Sequence, residues 1–117
     1  MGIGIDLIET DRFREEEDFP AFLRQILTEG ELSAHAGVRE DPARCAVLFA
    51  AKEAVLKALD CGLERGARWH EVELTADFRV ILSGGVRRLA EERSVRRILV
   101  SPSCAGGIAM ALAIAES

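Results

Sequence analysis

Aromatic residues are scarce in this chain, with five Phe, one Trp and no Tyr among 117 residues. An aromatic core is therefore excluded, and Leu, Val, Ile and a great deal of Ala must fill the interior. Such small side chains bury little area each, so a domain of this size gains from oligomerising. Cysteine is also rare. Cys45, Cys61 and Cys104 are odd in number and none stands in a CxxC spacing. That argues against a disulfide or metal framework and for small buried residues in a reducing compartment. No apolar run reaches the roughly 18 residues of a membrane span. Basic residues are the minority, 15 against 20 acidic, for a net charge of −5. Such a balance speaks against general nucleic-acid affinity, which needs clustered cations. Met1 leads straight into a strand-like run with no signal peptide, so the expected location is cytoplasmic.

What is present is an ordinary folded composition, 49% apolar and 30% charged, at a length that fits one domain over residues 1–117. Met1 to Ile8 alternates Ile3, Ile5 and Leu7 with Gly2, Gly4 and Asp6, a strand with one bulky and one nearly bare face. A charged surface run follows from Asp11 to Asp18. Pro20 to Leu27 has a helical apolar face. Thr28-Glu29-Gly30-Glu31 has capping-box spacing and starts a short helix toward His35. Asp41-Pro42 opens a long helix to about Leu59, with Gly62 placed for the left-handed turn beyond it. Strands are expected over Trp69 to Thr75 and Phe78 to Ser83, joined at Ala76-Asp77. A helix is expected over Ser83 to Glu92. Strands over Val95 to Ser101 and Ile108 to Ala115 close the chain around a loop of residues 102–107.

Two places carry chemistry. Asp6 is a carboxylate inside an apolar strand, which is expensive to bury unpaired, and glycine beside it admits a close neighbour. An exposed acid on an edge strand is the plain alternative. The long helix is apolar nearly all round, except for a stripe of Glu53, Lys57 and Asp60 within roughly 60° of one another. An exposed Glu–Lys pair needs no apolar walls, yet Phe49 and Leu56 border this one, which suggests a cleft. Asp6 and Glu53 together could supply two hard oxygen ligands to Mg²⁺, and Lys52 and Lys57 positive charge toward phosphates. A nuclease of the Asp…Glu-x-Lys type would need a lysine two residues after the glutamate on a strand. Here the lysines lie one before and four after it, on a helix.

These segments resemble the holo-acyl-carrier-protein synthase family of 4′-phosphopantetheinyl transferases. The resemblance runs through residues 4–9, Arg12, residues 22–32, the motif from Phe49 to Leu59, residues 69–74 and the closing Ala-rich strand. It implies an α+β fold, a small antiparallel sheet packed against a long central helix. It implies Mg²⁺ on Asp6 and Glu53, with coenzyme A as donor. A carrier-protein serine would attack the nearer phosphorus and release 3′,5′-ADP, its proton going to Glu53 or Lys57. Lys52, Lys57, Gly62 and Ser103 would bind the donor. Arg12 and Arg24 would bind the acidic acyl carrier protein, with Arg14 a further candidate that a solvated charged face explains equally well. Homotrimers with sites between subunits are the family's assembly. The chain departs from the family pattern at Leu48 (an arginine there), at Asp60-Cys61-Gly62 (Gly-Thr-Gly), before Phe78 (Gly-Lys-Pro) and at Ser101-Pro102-Ser103-Cys104 (Ser-x-Ser-His). These departures keep open a non-catalytic relative that acts as a binding or regulatory subunit with an eroded nucleotide site. His35 and His70 are expected to be structural.

Overall fold

The computed structural model describes residues 1–61 and 69–117. Its centre is the helix α4 (Pro42–Ala58), which lies against one face of an antiparallel sheet. The sheet has the order β1-β5-β4, formed by β1 (Gly2–Glu9), β5 (Ile108–Glu116) and β4 (Arg97–Ala105). Asp41 caps α4 through Ala43 N–H at 3.0 Å, and Pro42 stands at the first turn, as the sequence implies. The α+β architecture, a small antiparallel sheet on a long central helix, is the one expected.

The inner face of the sheet is built from minimal side chains. Gly2, Gly4, Ala109, Ala111, Ala113 and Ala115 meet Ala50, Ala51, Ala54 and Ala58 of the helix, and these alanines are all buried. A Cβ on Gly4 would lie 2.0 Å from the Ala54 carbonyl oxygen, and one on Gly2 would lie 2.0 Å from that of Ala58. The alanine-rich sequence is thus the means by which helix and sheet backbones approach closely. The bulky half of the same alternation faces outward, with Ile3 61%, Ile5 54% and Leu7 60% exposed. In register beside them stand Leu112 opposite Ile5 and Met110 opposite Leu7.

The remaining elements wrap the helix. They are α1 (Asp11–Arg14), α2 (Phe19–Ile26), α3 (Glu29–Ala34), a 3₁₀ turn (Trp69–Glu71), the hairpin β2 (Val72–Leu74) and β3 (Val80–Leu82), and α5 (Gly84–Glu92). Thr28 and Glu31 complete the capping box expected at α3. The charged run after Asp11 is not wholly superficial, because Phe13 turns into the core.

Several sequence expectations shift. The hairpin forms a sheet of its own, and its strands are shorter than expected. Trp69 to Glu71 is a 3₁₀ turn, and Phe78 takes φ 61° inside a turn closed by Thr75 N–H to the Arg79 carbonyl at 2.9 Å. Residues 102–105, expected in a loop, extend β4 as far as the Gly106-Gly107 turn. The left-handed residue ending α4 is Asp60, φ 54°, with Cys61 N–H on the Leu56 carbonyl and Asp60 N–H on that of Lys57. These two bonds form a Schellman motif, and Gly62, given that role from sequence, lies outside the described residues. The three cysteines are free but not all buried. Cys45 is buried, with its thiol pushed up to about 12 by desolvation, whereas Cys61 is half-buried and Cys104 exposed. Among the described residues, no helix is long and apolar enough to cross a membrane.

If close backbone approach is what seats α4, Gly4→Ala must push β1 off the helix. Urea unfolding should show a loss of about 1–3 kcal/mol or more, the usual cost of overpacking. An unchanged midpoint would refute the close-packing account.

Candidate active site

A cleft of about 410 Å³ opens where β1, α1, α2, α4 and the 3₁₀ turn converge. Its walls gather most of the chain's few aromatics. Phe13 meets Phe22 edge-on at 5.1 Å and Phe49 at 5.5 Å, and Phe49 meets Trp69 at 5.7 Å. Of the two walls inferred from sequence, Phe49 lines the cleft and three further rings extend it, whereas Leu56 is buried and does not line it.

Asp6 and Glu53 both line this cleft. Asp6 reaches it because Gly2 and Gly4 hold β1 on the helix, so the next inward position carries its side chain beside α4. Its Oδ1 accepts from Lys57 Nζ at 2.7 Å, and the same ammonium donates to the Ile5 carbonyl at 3.1 Å. Glu53 Oε1 accepts the Trp69 indole N–H at 2.7 Å. One oxygen of each carboxylate is thus tied to a donor. Among the described residues, no group of three His, Cys, Asp or Glu side chains converges. Two carboxylates without a third suit Mg²⁺, which takes one or two and fills its shell with water and substrate phosphate oxygens. The donor set fits that ion.

The lysines behave differently from the expectation. Lys57 ion-pairs with Asp6, not with Glu53 one turn earlier, and touches the cleft only through that carboxylate. Its protons point at acceptors, which makes it a donor rather than the proton acceptor considered from sequence. Lys52 is wholly buried and turned away from the cleft. Its ammonium donates to Glu31 Oε1 at 2.5 Å and to the Ile26 carbonyl at 2.8 Å. Desolvation presses its pKa below the ordinary lysine value, while Glu31 pulls the other way. The role of Lys52 as a phosphate-binding group is thus corrected. Adjacent helical residues point roughly 100° apart, so the turn that gives Glu53 to the cleft sends Lys52 elsewhere, here into the core.

Arg12 lines the cleft mouth, and Arg24 is exposed on α2 outside it. Arg14 pairs with Asp11 at the surface, 3.3 Å away. Ser103 sits on the outer face of β4, opposite Met110, and does not line the cleft. Leu48 is buried in the core. Both histidines are structural, His35 on the Leu74 carbonyl at 3.0 Å and His70 on that of Arg24 at 2.8 Å. Sequence reasoning gave no role to Trp69, and to Glu31 only its part in the capping box. The rarity of tryptophan was the signal for the first. The second carboxylate oxygen of a capping-box glutamate, which here accepts Leu74 N–H at 2.9 Å, was the signal for the other.

The chain belongs to the 4′-phosphopantetheinyl transferase superfamily, which it matches over residues 2–113. It is 40% identical to the holo-[acyl-carrier-protein] synthase of Chlamydia trachomatis (serovar L2) over 119 aligned positions, 99% of each chain. The structure resembles that of holo-[acyl-carrier-protein] synthase from Neisseria meningitidis, with a TM-score of 0.82 at 25% identity, covering 99% of this chain and 98% of that one. It also resembles the Bacillus anthracis synthase in complex with coenzyme A (3′,5′-ADP), with a TM-score of 0.71 at 27% identity, covering 99% and 96%. The likeness to the holo-acyl-carrier-protein synthases thus holds along the whole chain, and the protein is a phosphopantetheinyl transferase of that type.

Removing one partner of a buried pair strands a charge. Lys52→Met should therefore lower stability by about 3–5 kcal/mol in urea unfolding. Lys57→Met, on a half-exposed pair, should cost about 1 kcal/mol or less. Equal losses in the two variants would contradict the burial contrast.

Proposed function

We propose that this protein transfers 4′-phosphopantetheine from coenzyme A to a serine of an acyl carrier protein, with Mg²⁺, and releases 3′,5′-ADP. The observation that carries this reading is the meeting of Asp6 and Glu53 in one aromatic-walled cleft. Those two side chains would hold Mg²⁺, which when bound offsets the charge that builds on the diphosphate. Glu53 accepts the serine proton. The serine oxygen forms a bond to the nearer phosphorus, and the bond to the ADP oxygen breaks, that oxygen leaving with the electron pair. Lys57 acts through Asp6, fixing its orientation and adding positive charge at the rim.

Arg12 at the cleft mouth is the first contact offered to an acidic carrier protein, with Arg24 a second exposed cation on α2. The exposed apolar outer face of the sheet supports a homotrimer, because so much contiguous aliphatic surface rarely faces water in a monomer. Ser103 stands on that same outer face. Its expected part in donor binding is therefore tied to the assembly rather than to its own subunit's cleft. Gly62 keeps its proposed donor-side role from the family pattern alone. The cytoplasm, where coenzyme A and carrier proteins meet, is the compartment this reaction requires.

Incubation with MgCl₂, coenzyme A and an apo acyl carrier protein should add the mass of one phosphopantetheine to the carrier. Asp6→Asn and Glu53→Gln should each slow that gain by about two orders of magnitude, in keeping with the several kcal/mol a bound cation supplies. Absence of any gain on the cognate carrier would defeat catalysis and favour the binding-subunit alternative.

A further inference from the structure

Glu53 and Phe49 stand one turn apart on α4, and Trp69 bridges them. Its ring lies 5.7 Å from that of Phe49, tilted by 52°, while its N–H donates to Glu53 Oε1 at 2.7 Å. An indole nitrogen only donates, so the bond fixes which oxygen of this cleft-lining carboxylate is held and leaves the other without that tie. Asp6 is held differently, by a lysine ammonium. An ammonium offsets the charge of the carboxylate it binds and repels an arriving cation. A neutral indole does neither. The two carboxylates are therefore held unequally, Asp6 by a cation and Glu53 by a neutral donor. Partners of this kind, which orient a ligating side chain from behind, alter metal affinity about 10–100-fold.

We propose that Trp69 is the positioning residue that aims Glu53 at a divalent cation, and that its indole reports the arrival of that cation. The proposal rests on the assignment of Mg²⁺ to Asp6 and Glu53 made above. MgCl₂ titrated into the full-length protein, followed by tryptophan emission and by calorimetry, tests it directly. The chain has one Trp, so the emission has a single source. The two midpoints should coincide. Trp69→Phe keeps a ring against Phe49 and deletes the N–H. Its calorimetric Mg²⁺ affinity should fall about 10–100-fold. The Mg²⁺ concentration for half-maximal transfer should rise by the same factor, while kcat at saturating Mg²⁺ recovers.

A loss of stability alone would not move that Mg²⁺ dependence. Should Trp69→Phe fail to fold, the emission of the unaltered protein decides the matter. Wild-type affinity in Trp69→Phe, or emission unmoved by bound Mg²⁺, overturns the proposal. Glu53→Gln separates the two levels. Unchanged Mg²⁺ binding in that variant sinks the cation site itself. Lost binding there, with wild-type binding in Trp69→Phe, sinks only the role of Trp69.

Discussion

The contact between β1 and α4, glycine against helix carbonyl, is the constraint from which the site follows. Any side chain at position 2 or 4 would collide with the Ala58 or Ala54 oxygen. With hydrogen there instead, the strand rides on the helix. The next inward residue, Asp6, is carried to the same cleft as Glu53. Carboxylates 47 positions apart in the sequence are brought together by backbone proximity rather than by any bond between them. The alanines of β5 do the same along the centre of the sheet, and all four are buried.

The second organising feature is the division of one dipeptide between two environments. Lys52 and Glu53 are neighbours in sequence, and a helix must send them in different directions. Lys52 enters the core and meets Glu31, which also closes the α3 capping box and accepts Leu74 N–H. This polar knot joins α3, α4 and β2, and the Ile26 carbonyl brings in the end of α2. Its members are all satisfied, as a buried network must be if it is not to destabilise the fold. Glu53 is thereby left to the cleft, with α2 held opposite as its wall.

Much of this was legible in the sequence. Asp41-Pro42 marked the long helix, Thr28 with Glu31 marked the short one, and Asp6 with Glu53 marked the cleft, because capping and polar stripes are local signals. The functions of the two lysines were not legible. Periodicity places Lys57 on the same stripe as Glu53, but it cannot say that a strand carboxylate will outcompete the i,i+4 partner. Nor can it reveal that Lys52 has a buried acid waiting 21 residues earlier. The left-handed residue at Asp60, which ends α4, was not legible for a related reason. Glycine is the usual left-handed residue, yet Asp60 and Ser94 both adopt that conformation here. Their neighbours' backbone bonds make the turn worthwhile. The turn at 102–105 failed because Pro and Ser suggest loops, whereas pairing with β5 carries these residues as strand.

The alternation of β1 and β5 joins the site to the exposed outer face of the sheet. A strand that must present glycine and alanine to the helix has its bulky residues only on the other side. Ile3, Ile5, Leu7, Met110 and Leu112 are exposed for that reason. Closing the helix–sheet distance and creating an apolar outer face are one event, since a strand's side chains alternate between its two faces. A substitution that made the outer face polar would leave the inner face, and the meeting of Asp6 with Glu53, untouched. A substitution that enlarged the inner face would disturb the site while leaving the outer face available for association. The two properties are coupled in the sequence by the period of the strand, yet they remain separable in the folded protein by the face on which a residue falls.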